Sequence, residues 1–284
     1  MAQALRLVRA PDSFPGPPLF SPIRSGKKTV MKATAIPSHE ESFKTSGVDS
    51  SGKSHTLKPF EAAIPNSTET VGMIECTVAN GDESFFYKTE HAKERIALHF
   101  TAGYLKGDIA TLTKPANHVS VPFVVARDGS IYNLWTSSYW SYHLGSGTQG
   151  GNEAMSKSSV AIEISNIGPV KANGSNLVTT YSNTDVYCSM AEAEFYTKVA
   201  SYRGEQYFAT FTSQQYESVI KLVRFLTAKY DIPRVFIAEP ERYNVFSGVA
   251  GFKGITSHVN YRSDKWDIGP AFDWNRVIAG VQAG

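Results

Sequence analysis

Hydrophobic and polar positions divide the chain into a front segment without a period and a patterned remainder. Residues 1 to about 70 scatter single apolar side chains among Pro, Ser, Thr, Lys and Gly, and no helical or strand repeat is sustained. This predicts a poorly ordered N-terminal extension over 1–70 and a folded domain over 71–284, with folding proper beginning around Val71–Val78. Ile96-Ala97-Leu98-His99-Phe100 then reads as a short apolar strand carrying one histidine just ahead of the turn at Gly103. Ile109, Ala110 and Leu112, stopped by Pro115, predict a short helix within 107–114. Val119–Val125 reads as a buried strand, and Arg127-Asp128-Gly129 as a hairpin turn into Ser130–Leu134. Ser159–Ser165 is a branched apolar run bounded by serines, and so a further strand.

Helical signals dominate the second half. Residues 167–212 read as an elaboration with a helix starting at Ser189, where Glu192 completes a capping box. The same box recurs at Thr212 and Gln215, followed by a stripe of Tyr216, Val219, Ile220, Val223 and Leu226. Ile232-Pro233 ends that helix ahead of a strand over Arg234–Ala238. Strands and helices in this order predict an α/β domain, a mixed central sheet flanked by helices.

Composition narrows the function classes. The 284 residues are 42% hydrophobic and 19% charged, ordinary for a folded domain with an appendage. A net charge of +2 with no basic cluster gives no footprint for nucleic acid. No apolar run is long enough to span a membrane, and prolines at 11, 15, 17 and 18 break the start, so no standard secretory signal is expected. Cys76 and Cys188 allow at most one disulfide, exclude a multi-thiolate metal site, and read as small buried residues.

Candidate chemistry concentrates near the end of the chain. Gly254–Trp274 brings an imidazole (His258), an ammonium (Lys265) and a carboxylate (Asp267) into one short loop closed by Gly269-Pro270. His258 and Asp267 are ligands that suit zinc, and His99, at a strand end, is the best donor of the other half. One strand histidine alone is more often a hydrogen-bonded core residue; three such residues in matching contexts change the reading. Glu163 sits among branched neighbours that raise a carboxyl pKa, which suits a general base, while a structural glutamate is the plainer reading. The aromatic stretch Trp135, Tyr139, Trp140, Tyr142 and His143 either lines a sugar-binding groove or caps the core. His39, His55 and His91 read as surface residues, and His118 lies near the sheet.

Five blocks in order carry a resemblance: His99-Phe100-Thr101-Ala102-Gly103, Arg127-Asp128-Gly129, Tyr142-His143-Leu144-Gly145, Ser159–Glu163 and Gly254–Trp274. Together they span about residues 90 to 280 and resemble the zinc N-acetylmuramoyl-L-alanine amidases, a family that includes phage lysozyme-type amidases, bacterial recycling amidases and peptidoglycan recognition proteins. The resemblance implies a Zn2+ ion held by His99, His258 and Asp267, with Glu163 as catalytic carboxylate and Lys265 beside the developing oxyanion. It implies a substrate contact at Tyr142 and a supporting one at His143. The implied partner is bacterial peptidoglycan, cut between the lactyl group of N-acetylmuramic acid and L-alanine of the stem peptide. Val121 or Pro122 stands where lysozyme-type members carry a tyrosine, which favours the glutamate-using branch, and Ile268 follows Asp267 where many members have proline. A non-catalytic wall-binding or particle-associated module of the same fold is the alternative, with 1–70 as a docking arm for a phage or secretion particle. Without a signal, the expected route is synthesis in the cytoplasm and action on the wall after lysis or dedicated export.

Overall fold

The computed structural model describes residues 32–284. The arginines and prolines of the first twenty residues therefore lie outside the described part. Ordered structure begins well before residue 71, and this corrects the expected boundary. Helix α1 (Ile36–Ser46) and strand β1 (His55–Ala63) both fall inside the segment read as an extension, and β1 pairs antiparallel with β2 (Thr70–Val78) over its whole length. Phe43 explains why α1 holds: it is fully buried against His55 and Tyr132. Glu40, also buried, accepts from the amides of Arg127 and Asp128 and clasps α1 onto the hairpin turn. His55, expected at the surface, is buried and bonded to Asp49 at 3.0 Å.

Next come β3 (Arg95–Phe100), α2 (Leu105–Leu112), β4 (Phe123–Val125), β5 (Ile131–Asn133), α3 (Asn152–Ser158) and β6 (Ser159–Ile164). Of the expected Val119–Val125 strand, only Phe123–Val125 joins the sheet; exposed Val119 makes an isolated bridge to Tyr142, and Pro122 spends its carbonyl on Leu134 and Asn133. Two helices complete the domain, α4 (Ser213–Tyr230) and α5 (Trp274–Gln282), with β12 (Gly254–Ser257) between them. Strands β7 (Pro169–Asn173), β8 (Asn176–Thr179), β9 (Val186–Ser189), β10 (Tyr196–Tyr202) and β11 (Glu205–Ala209) form a separate sheet.

The central sheet has seven strands in the order β1-β2-β5-β4-β6-β3-β12 and is mixed, with β4, β6, β3 and β12 parallel to one another. Helices cover both faces, as expected. Phe43 of α1 and Leu105, Ile109 and Leu112 of α2 pack on one side; the Tyr216, Val219, Val223 and Leu226 stripe of α4 and Val277 and Val281 of α5 pack on the other. Each such buried side chain contributes about 1.5–3 kcal/mol of transfer free energy. Helix α4 starts where the sequence places it: Thr212 Oγ accepts from the Gln215 amide and Gln215 returns the bond to Thr212.

The same box at Ser189 starts no helix. Glu192 does accept from the Ser189 amide at 2.7 Å, but one 3-10 turn follows and the chain then runs into the β-branched and aromatic residues of β10. The elaboration is a five-stranded antiparallel sheet, β10-β11-β7-β8-β9. The expected strand over Arg234–Ala238 reduces to one bridge, Phe236 to Ile255, lying along β12. Both cysteines are free and buried, as expected, and burial pushes the Cys76 thiol up to about 12. Among the described residues no helix is long and apolar enough to cross a membrane.

Candidate metal centre and active site

Parallel pairing brings the chemistry to one end of the sheet. His99 and Glu163 are direct partners across β3 and β6, so their side chains leave on the same face one strand apart. Ser257 pairs with Leu98, which puts His258, the next residue, beside His99 at the carboxyl ends of the strands. A 3-10 turn follows, fixed by Asn260 Oδ1 accepting from the Ser257 amide at 2.8 Å. The loop then returns: the Val259 amide donates to the Asp267 carbonyl at 2.8 Å, which delivers the Asp267 carboxylate to the two imidazoles.

Three atoms converge. His99 Nδ1 lies 2.9 Å from His258 Nδ1 and 3.1 Å from Asp267 Oδ2, and His258 Nδ1 lies 3.0 Å from the same oxygen. All three residues are buried. Proton bookkeeping shows what such a triangle can hold. His258 Nε2 is 2.9 Å from the Leu144 carbonyl, which can only accept, so Nε2 carries a proton, and in the neutral form that binds a metal Nδ1 is the bare nitrogen. A bare nitrogen therefore faces a carboxylate oxygen, two electron-rich atoms at bonding distance with no proton between them. A cation relieves that repulsion, and edges near 3 Å approach the roughly 3.3 Å separation of two ligands on tetrahedral zinc.

The electrostatics agree. Burial, reinforced by His258, lowers His99 to about 4, leaving it neutral at ordinary pH. Burial acts to raise Asp267, but the charge and hydrogen bond that His258 supplies in its protonated form, with help from His99, outweigh it and hold the carboxyl well below its usual range. Neutral imidazoles and an ionised carboxylate are the forms that bind a metal. Burial pushes Glu163 well above the usual carboxylate range, aided by the charges of Asp267 and Asp108 and opposed by Lys265. Its Oε2 is buried without a hydrogen-bond partner. Lys265 is half-buried, and its charge bears on both His99 and Glu163.

The two substrate-contact candidates lie differently. Both ring nitrogens of His143 are engaged, Nδ1 at 3.1 Å from His99 Nε2 and Nε2 at 2.7 Å from Ser159 Oγ, which leaves none to meet a substrate. Tyr142 packs edge-on to Trp140 and Tyr87. The surrounding aromatics spend their faces on one another: His118, Tyr87 and Trp140 stack in series, Lys157 lies over Trp140, and Trp135 and Tyr139 stack on Phe86. Trp135 and Tyr139 pack on the core with Phe86, whereas Tyr142 is half-buried.

Sequence reasoning missed several supports. Arg262 Nη1 donates to the same Leu144 carbonyl as His258 and crosses Gly145, where a Cβ would meet that nitrogen at 2.1 Å. Tyr202 and Phe208 of the second sheet pack on Trp266, next to Asp267, and Arg203 at the β10–β11 turn reaches the Ser263 carbonyl. Asp108, buried and pushed up to about 6 by burial, bonds Ser165 Oγ at 2.6 Å behind Glu163. Asp108 comes from α2 and Ser159 from the start of β6, and only the fold brings them to the site.

The sequence profile of the family described as N-acetylmuramoyl-L-alanine amidase matches residues 90–270. This chain belongs to that family. No curated protein sequence matches it. Among solved structures it is similar to the N-acetylmuramyl-L-alanine amidase AmiD from E. coli, in complex with the substrate anhydro-N-acetylmuramic acid-L-Ala-D-gamma-Glu-L-Lys. Identity there is 21%, covering 68% of this chain and 59% of that one, with a TM-score of 0.44. AmpDh3 from Pseudomonas aeruginosa gives 16%, 68% and 61%, at 0.42. The endolysin amidase LysCS from Clostridium intestinale gives 15%, 69% and 90%, at 0.38. The chain thus spans about three fifths of the first two relatives. The amidase-family match covers His99, Glu163, His258, Lys265 and Asp267 together.

Proposed function

We propose that this protein hydrolyses the amide bond between the lactyl group of N-acetylmuramic acid and L-alanine of the peptidoglycan stem peptide, with zinc held by His99 Nδ1, His258 Nδ1 and Asp267 Oδ2. The observation that carries the reading is the convergence of a bare imidazole nitrogen, a carboxylate oxygen and a second imidazole nitrogen at about 3 Å, within a family match that spans them. A zinc ion bound there would polarise the scissile carbonyl and make a water acidic enough to attack near neutral pH.

The remaining work falls to the chain. Glu163, one strand from His99, takes the proton of the attacking water. Its raised proton affinity keeps that proton at hand for the departing nitrogen, a poor leaving group until it is protonated. Lys265, close enough to act on both His99 and Glu163, places an ammonium where charge develops on the carbonyl oxygen. Tyr142 remains a proposed wall of the cleft, whereas His143 faces the back of His99. Residues 33–63 of the segment read as a docking arm are built into the domain.

The test is to incubate purified peptidoglycan with wild type, with Glu163→Gln, and with chelated and then zinc-restored protein, reading the products by mass spectrometry. Peptides with a newly freed L-alanine amine, lost with either treatment and recovered with zinc, are expected. Binding to the wall with no release in any sample would make the protein a recognition module.

A further inference from the structure

One nitrogen of the metal triangle has a proton whose position is set far from the triangle. His99 Nδ1 can offer a lone pair only if the ring carries its proton on Nε2. Nε2 faces His143 Nδ1 at 3.1 Å, so the question passes to His143. His143 Nε2 in turn faces Ser159 Oγ at 2.7 Å. Ser159 Oγ also lies 2.7 Å from the Met155 carbonyl, which has no proton to give. At that distance the single hydroxyl proton of Ser159 must point at Met155, and the lone pairs of Ser159 are left to accept.

The rest follows in sequence. Ser159 accepts from His143 Nε2–H, the neutral His143 ring presents a bare Nδ1, and that nitrogen accepts from His99 Nε2–H. His99 Nδ1 is then bare and faces the metal position. We propose that Ser159, acting through His143, is a positioning residue that fixes the tautomer of His99 and so completes the metal-binding triangle. The inference rests on the zinc reading above. The layout of the sheet makes the relay possible: Ser159, Ala161 and Glu163 alternate onto the same face of β6, paired with Arg95, Ala97 and His99 of β3. One strand thus carries the proposed base at one end and the tautomer anchor at the other. His258 needs no such relay, since the backbone carbonyl of Leu144 does the same work directly.

The experiment has two arms. In wild type with a chelator, long-range 15N–1H correlation spectra of the imidazoles should show His99, His143 and His258 all protonated on Nε2. A His143 protonated on Nδ1 overturns the proposal, and no variant is needed to find it. In the second arm, zinc affinity is measured by competition with a chromophoric chelator. Ser159→Ala should bind zinc roughly 10- to 100-fold more weakly, the usual cost of losing an outer partner of a ligating histidine. Its spectra should show the Nδ1–H tautomer appearing at His143, and Ser159→Thr, which keeps a hydroxyl, should recover both readouts. Unchanged affinity and tautomers in Ser159→Ala would refute the relay. If wild type itself bound no zinc while keeping the three Nε2–H tautomers, the metal reading would fail and the relay would stand as a purely structural chain.

Discussion

Glu163→Gln separates the chemistry of this site from its architecture. The substitution keeps the size and shape of the side chain and removes its ability to take a proton. Loss of a positioned general base costs about 10²- to 10⁴-fold in turnover, or about 3–5 kcal/mol of barrier. Stability should move the other way. Glu163 is held above the usual carboxylate range by burial and by the charges of Asp267 and Asp108, and its Oε2 has no hydrogen-bond partner. Above the ordinary glutamate pKa the unfolded chain has released this proton while the folded chain retains it, so wild-type stability falls as pH rises through that window. The amide variant has no such proton and should lose less. With a chelator present, urea unfolding of the two proteins should coincide at acid pH, and the variant should become the more stable one as pH rises. The size is about 1–3 kcal/mol, the penalty for a buried group without a partner. Activity is read as L-alanine amine released from purified muropeptide, and zinc by chelator competition. Turnover within threefold of wild type, or a variant less stable than wild type at neutral pH, would refute the assignment.

Other outcomes follow from the same geometry. Asp267→Asn leaves two bare nitrogens without their counter-charge and should abolish the rise in thermal midpoint on adding zinc, which at a hundredfold excess over Kd is worth about 2.7 kcal/mol in wild type. Burial raises Glu40 to about 7 against opposing bonds from the Arg127 and Asp128 amides. Folded protein then holds a proton that the unfolded chain loses from about pH 4.5 upward, so stability should fall by up to about 3 kcal/mol toward pH 7. Glu40→Gln should flatten that slope in urea titrations; an unchanged slope would mean that the carboxylate is ionised in the fold. Thr212→Ala removes the helix cap and the bond from Thr212 Oγ to the Arg127 carbonyl, and should cost about 1–2 kcal/mol by denaturant unfolding with zinc affinity unchanged.

What could be read from the sequence depended on how local the deciding interaction was. Helix α4 was legible because its cap and its apolar stripe lie within one stretch. The grouping of His99, His258 and Asp267 was legible because His258 and Asp267 share a short loop and His99 interrupts an apolar strand. Strand β1 was not: an edge strand needs apolar contact on little of its surface, so only His55 is buried along its length, and its identity lies in pairing with β2. Ser189 and Thr212 carry the same capping residues, and the difference lies downstream, in branched and aromatic side chains that favour a strand in one case and an amphipathic stripe in the other. Ser159 is a single hydroxyl at a strand end, and its role depends on Met155 and His143, which only the folded chain brings together.

The pairing of β1 with β2 bears on how the chain could be shortened. Strand β1 ends the sheet and carries Pro59, Lys58 and Glu61, residues that discourage another chain from adding to that side. Strand β2, Thr70 to Val78, has no proline and buries Val71 and Met73 in one core cluster and Cys76 and Val78 in another. A chain begun at residue 71 would lose the protected border and present this apolar strand, with its amides and carbonyls unpaired, to the next molecule. Strand β1 thus guards that border against self-association, and removing it should give aggregates while His99, His258 and Asp267, at the other side of the sheet, stay together.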